Sequence, residues 1–200
     1  MQNTGVKNLK VCIKELERFI RDGNHIETGK TFKKFGDLRS REILANWLLC
    51  VVINFEQKSN QWRICTDPNG GDGILCDGRK NIAWPTEHIL VSRSNKAAED
   101  VEALILKHIK KKQDKGGAAY ASGKILVVCL NKIGDGWCPN KIAHRLPQKL
   151  DFESVWVVGL DSVVDEQYNY NVTRLDSNGC PVWQVHIEKT FDDWKIKKIQ

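Results

Sequence analysis

No run of roughly 18 apolar residues occurs anywhere in the chain, so no stretch of it is suited to cross a bilayer as a helix. The opening MQNTGVKNLKVCIKELERFI lacks the continuous apolar segment of a secretory leader, and the expectation is a cytoplasmic protein with no membrane partner. None of the seven cysteines forms a C-x-x-C pair, which argues against structural zinc. Seven is odd, and Cys50, Cys76 and Cys129 lie in apolar runs (LLCVV, GILCD, VVCLN), as buried thiols do in a reducing compartment. The pattern GxxxxGK[ST] is not met, which excludes a P-loop. Internal repeats and low-complexity tracts are lacking too, so a solenoid or a disordered tail is not expected.

What remains is a chain of 200 residues with ordinary apolar content, enough for one domain with a full core. The formal net charge of +6 favours a polyanionic partner. Residues 7–22 put Leu9, Ile13, Leu16 and Ile20 on one helical face. Residues 23–36, GNHIETGKTFKKFG, read as a polar, basic loop. The expected division is therefore an N-terminal helix and basic linker over 1–36 and a single domain over 37–200. Asp37 is placed to cap a helix over 38–55 that is apolar nearly all round after Ile43, as a buried element would be.

Strands are expected over 61–66, 73–76 and 86–91, the last two bracketed by glycines and by Trp84-Pro85. A helix over 95–112 follows, with Asn95 at its start, acids in its first turns and Lys110, Lys111 and Lys112 in its last turn, the order the helix dipole favours. Residues 115–124, KGGAAYASGK, form a small-residue loop. The runs 125–130 (ILVVCL) and 152–160 (FESVWVVGL) read as central strands, separated by a short helix over 140–146. Alternation over 168–175 and 182–187 predicts a closing hairpin within 161–200. Its Tyr168, Tyr170, Trp183 and Trp194 read as one packed face of a sheet, with an aromatic interaction surface as the alternative.

Chemistry concentrates in 67–91, DPNGGDGILCDGRKNIAWPTEHILV. Asp72 precedes one short strand and Glu87 opens the next, so pairing of the two strands brings both carboxylates to one end of the sheet. Two converging carboxylates suit a hard divalent cation whose other ligands are water and phosphate.

This order of elements and acids resembles the PD-(D/E)XK, or restriction-endonuclease-like, nuclease superfamily over roughly residues 38–130. The resemblance implies an α/β fold, a mixed β-sheet flanked by helices with the core order αβββαβ (37–160), followed by the C-terminal β-hairpin. It implies a nuclease hydrolysing phosphodiester bonds, of DNA ahead of RNA, with Mg²⁺ or Mn²⁺ held by Asp72, Glu87 and the backbone carbonyl of His88. Glu42, from the first core helix, holds a metal-bound water or a second ion in that scheme. The family's lysine position falls on Ile89, so its role passes to Lys107 or Lys111 of the next helix, or to Lys124. Lys110, Lys111, Lys112, Lys115 and Lys124 are the expected contacts to the nucleic-acid backbone. The alternative is an inactive module of the same fold that binds nucleic acid or a protein, and either version leaves room for a homodimer.

Overall fold

The computed structural model describes residues 8–92, 100–131, 136–147, 150–176 and 179–200. The first helix, α1 (Leu9–Ile20), starts where the Asn8 side chain accepts the N–H groups of Lys10 and Val11, and it buries Leu9, Cys12, Ile13, Leu16 and Ile20. The stretch expected as a loop instead holds α2 (His25–Thr28) and one 3₁₀ turn (Lys33–Phe35). Phe32 and Phe35 are buried there and stack at 5.1 Å between ring centroids. Two aromatics in a basic run were the signal that this segment packs. Next comes α3 (Ser40–Glu56), buried on almost every side. Its cap position is Arg39, not Asp37, whose backbone has φ 62. The first turn is closed by Glu42, whose Oε2 accepts the Arg39 N–H at 2.8 Å.

The remaining elements are β1 (Trp62–Cys65), β2 (Ile74–Asp77), β3 (Ile82–Ser92), α4 (Val101–Asp114), α5 (Gly117–Ala121), β4 (Ile125–Asn131), α6 (Pro139–Ala143), β5 (Ser154–Val164), β6 (Gln167–Leu175), β7 (Val182–Ile187) and β8 (Trp194–Lys198). The expected start of α4 at Asn95 lies outside the described residues, and the helix is capped by Asp100, whose side chain accepts the Glu102 N–H. All eight strands form one sheet in sequence order. The β3–β4 and β4–β5 pairs are parallel, and every other pair is antiparallel.

This architecture corrects the expected fold class. The sequence predicted a small αβββαβ core flanked by helices, with a separate hairpin over 161–200. The structure is an eight-stranded curled sheet, half of a barrel, with few helices. The reason lies at the end of β5. That strand continues past Leu160 through a bulge before Ser162 and reaches Val164. Asp165 and Glu166, with φ 49 and 62, then turn the chain directly into β6. The expected closing strands therefore extend the central sheet. The tail, as β8, lies antiparallel on β7 and ends the sheet with Lys195, Lys197 and Lys198.

Core packing follows strand alternation. One face of β4 and β5 (Val127, Cys129, Trp156, Val158) packs with α1 and α3. The other (Leu126, Val128, Val155, Val157) packs with Ile105 and Ile109 of α4 and with Ile142 of α6. Tyr170, Trp183 and Phe191 are fully buried, and Trp194 meets Trp47 edge to face at 5.0 Å, so the late aromatics are one packed face.

Two local features place the site. Strand β3 begins earlier than expected and runs through Pro85. The Thr86 N–H points to β2, where it bonds the Gly73 oxygen, so the nitrogen of Pro85 points to the β4 side. There the parallel ladder starts only at Thr86–Ile125, and the missing donor costs nothing. Cys76, expected as a buried thiol, is half-buried and bonded to Cys65. That bridge ties β1 to β2 at the base of the 66–73 connection. The other five cysteines, Cys12, Cys50, Cys129, Cys138 and Cys180, are outside any disulfide.

Candidate functional site

Strand β2 leaves β3 at Gly73, and the ladder there is finished by a side chain. The His88 N–H, the next donor on that edge of β3, bonds Asp72 Oδ2 at 2.8 Å. Asp72 is thereby held beside Glu87. The departure of the chain is fixed from α3: Asn46 Nδ2 donates to the Asp72 carbonyl at 2.9 Å. Gly73 has φ +113, and a Cβ on it would lie 2.5 Å from Asn46 Nδ2, so only glycine admits this bond.

Alternation along β3 sends Glu87 and His88 to opposite faces. His88 is buried, and its Nε2 meets Asn46 Oδ1 at 3.0 Å. Since the Asn46 amide nitrogen is committed to Asp72, its oxygen accepts, and His88 is the donor at Nε2. Burial first, then the nearby Arg41 and Lys112 charges, push the His88 pKa down to about 3, so the ring is neutral. Among the described residues its Nδ1 has no partner. An extended residue presents N–H and C=O on the same edge, so the His88 carbonyl faces the same notch as Asp72.

Glu87 lies on the α4 face. Lys112, from the last turn of α4, pairs with its Oε1, and both side chains are more than four-fifths buried. Tyr120 of α5 also hydrogen-bonds Glu87, and Lys124 Nζ sits 4.0 Å from the centre of the Tyr120 ring. Burial works to raise the Glu87 pKa. The bonds from Lys112 and Tyr120, with the charges of Lys112 and Lys124, outweigh it and hold the carboxyl below its usual range. Asp72 goes the other way: burial raises its pKa against the His88 N–H bond, and repulsion from Glu87 adds to the rise. Glu42 is also raised by burial, with Asp72 adding repulsion. Two adjacent carboxyls are thus pushed in opposite directions, a pattern common at functional sites.

The sequence singled out Glu42, Asp72, Glu87 and His88, and the structure brings these four into one electrostatic neighbourhood. Of the lysines it brings Lys112 and Lys124, while Lys107, Lys110, Lys111 and Lys115 are exposed. Lys111, Lys112 and Lys115 line a shallow groove with Ile89, Leu90 and His108. Sequence reasoning missed Asn46 and Tyr120. Asn46 had a signal, as a lone amide inside LANWLLCVV. Among the described residues no group of three or more His, Cys, Asp or Glu is arranged to hold a metal ion. The oxygen donors at the notch are two carboxylates and a backbone carbonyl. That set fits a cation such as Mg²⁺, which keeps several of its waters, and not one that needs a cage of protein ligands.

Compared with known proteins, the chain matches no protein-family model, no curated protein and no solved structure. No helix among the described residues is long and apolar enough to cross a membrane.

Proposed function

We propose that the protein is a metal-dependent nuclease whose site is the notch between β2 and β3. The observation that carries this reading is the convergence of Asp72, Glu87 and Lys112 where β2 leaves β3. Asp72, Glu87 and the His88 carbonyl would hold Mg²⁺ or Mn²⁺. When bound, such an ion supplies charge to a phosphoryl oxygen and lowers the pKa of a coordinated water. Lys112 holds Glu87 ionised and faces the substrate phosphate, the role that sequence spacing denies to Ile89. Tyr120 orients Glu87 from the other side. Glu42, its Oε2 engaged by the Arg39 N–H, sets the field around Asp72. The exposed lysines at the end of α4 meet the nucleic-acid backbone, DNA ahead of RNA. The cytoplasm is the setting of this proposal, as the sequence suggests.

A second reading is favoured by one observation: Lys112 and Tyr120 already satisfy Glu87 without a metal. In that reading the chain binds nucleic acid or a protein and does not cleave. Calorimetric titration of Mg²⁺ and Mn²⁺ separates the two, with cleavage assays on plasmid, single-stranded DNA and RNA. The nuclease reading expects metal binding that disappears in Asp72→Ala and Glu87→Ala, with cleavage falling at least about a thousandfold, roughly 4 kcal/mol of barrier. In Lys112→Met, metal binding persists while cleavage is lost. Salt-sensitive DNA binding by an intact protein that takes up no metal would leave only the second reading.

A further inference from the structure

We propose that the free edge of β8 takes up an acidic, extended peptide segment as a ninth strand. This inference is independent of the phosphodiester reading, because β8 ends the sheet and the β2–β3 notch lies toward its other end. The main chain sets the edge. The Glu188 N–H bonds the Asp193 carbonyl and the Ile199 N–H bonds the Val182 carbonyl, so Lys195 and Lys197 between them turn their main-chain groups to β7. Those of Trp194, Ile196 and Lys198 alternate with them and face outward, where no described strand covers them. The strand at the other end of the sheet, β1, is treated differently. There Asn54 of α3 meets both the N–H and the carbonyl of Trp62, at 3.0 and 3.2 Å. An uncovered edge is a template for a further strand.

Beside the edge runs a groove of about 830 Å³. Its floor is apolar: Leu9 of α1, Val51 and Phe55 of α3, and Trp194 and Ile196 of β8. Phe55 is 45% exposed, although it continues the row of Trp47 and Val51 that α3 otherwise buries. The rim is basic. Lys10, Lys58 and Arg63 line it, and among the described residues none of the three forms an ion pair. Glu56, an acid of the lining, is already engaged by the Trp183 indole and by Lys198. Lys195 and Lys197 project from the opposite face of β8 and are exposed.

Charge and main chain select the occupant. A β8–β8 pair between two copies would set Lys195, Lys197 and Lys198 against like charges, which opposes self-association. An acidic strand reverses that sign. Its alternate apolar side chains would fall on the Phe55 floor while its carboxylates faced Lys195 and Lys197. A nucleic-acid strand carries the charge but lacks the alternating N–H and carbonyl groups that complete the edge.

The test is titration of the full chain with a blocked peptide of alternating glutamate and valine, about seven residues long so that it spans β8. NMR and amide hydrogen exchange follow the binding. The expected result is saturable binding with a Kd below about 1 mM, a shift of the Trp194 indole, and slowed exchange of the Trp194, Ile196 and Lys198 amides. The same peptide with lysine for glutamate, or N-methylated throughout, should cause none of these. Lys197→Glu should weaken binding about fivefold. Ile196→Pro removes an outward N–H without touching the β7 ladder and should abolish binding. No protection at millimolar acidic peptide overturns the proposal, and so does equal binding of either control peptide. Protection of these amides by oligothymidylate would assign the edge to nucleic acid, and protection that rises with protein concentration alone would assign it to a second copy. Either outcome overturns the proposal, and all of these are read on the unaltered protein whether or not Ile196→Pro folds.

Discussion

The two halves of the sheet treat buried polar groups differently. In β5–β7 the polar side chains, the Asn171 amide oxygen apart, form a matched chain: Asn169 Nδ2 donates to Ser162 Oγ at 3.0 Å, its oxygen meets His186 Nδ1 at 2.6 Å, and the other nitrogen of that ring faces Glu188. In β2–β3 the acids oppose each other. Asp72 and Glu42 are held in partial burial at some cost to their ionised forms, and Glu87 keeps its charge only through Lys112, Tyr120 and Lys124. A half-sheet that tolerates such conflict is the half where chemistry is expected, since local rules are broken mainly at functional sites.

That contrast can be broken most strongly in the settled half. Trp183 is buried, stacks on Trp156 at 5.7 Å, and donates its indole N–H to Glu56 at 2.9 Å. Trp183→Ala should cost about 3–5 kcal/mol in urea unfolding and leave metal binding at the notch measurable below the midpoint. A smaller loss is expected from opening the Cys65–Cys76 bridge, which closes a sequence separation of 11. Reduction should cost about 2–3 kcal/mol, read as a lower denaturation midpoint with reductant than without. No shift would show that the 66–73 connection is held from α3 alone.

The smallest effect has the opposite sign. Because the folded pKa of Asp72 lies above its ordinary 3.8, the folded state holds a proton that the unfolded chain has released. Stability therefore falls as pH rises from 3.8 through the folded value. Glu42 adds to this fall from 4.5 upward. Glu87, with a lowered pKa, contributes stability that is present above 4.5 and lost as pH falls through its folded value. Asp72→Asn keeps an acceptor for the His88 N–H and removes the charge. It should raise the melting temperature at pH 7 and flatten the pH dependence, while abolishing metal binding. A lower melting temperature would show that Asp72 is a structural acid.

Much of this was legible in the sequence, and the exceptions have physical causes. The helical face of Leu9, Ile13, Leu16 and Ile20, the apolar run 125–130 and the nearness of Asp72 to Glu87 followed from periodicity and turn residues. The sheet was misjudged because alternation shows that two strands pair, not which third strand they join. The continuation of β5 through a bulge leaves no compositional mark. Lys112 could not be told from Lys107 or Lys111 because the choice depends on helix phase against a strand far away in sequence. Asn46 was readable as a polar residue in an apolar helix, but its two bonds depend on Gly73 and His88 being brought to it.

Pro85 bears on how reliably the chain finds this arrangement. A slip of one residue between β3 and β4 would turn Glu87 to the α3 face and His88 toward α4, exchanging a charged group with a neutral one. A slip of two keeps the faces but, in the direction that lengthens the ladder, sets Pro85 opposite a β4 carbonyl with no hydrogen to offer. Both misalignments leave a buried polar group unanswered. The imino acid thus acts as a stop against which the parallel strands are set during folding, and the position of the acids is guarded by a residue that takes no part in their chemistry.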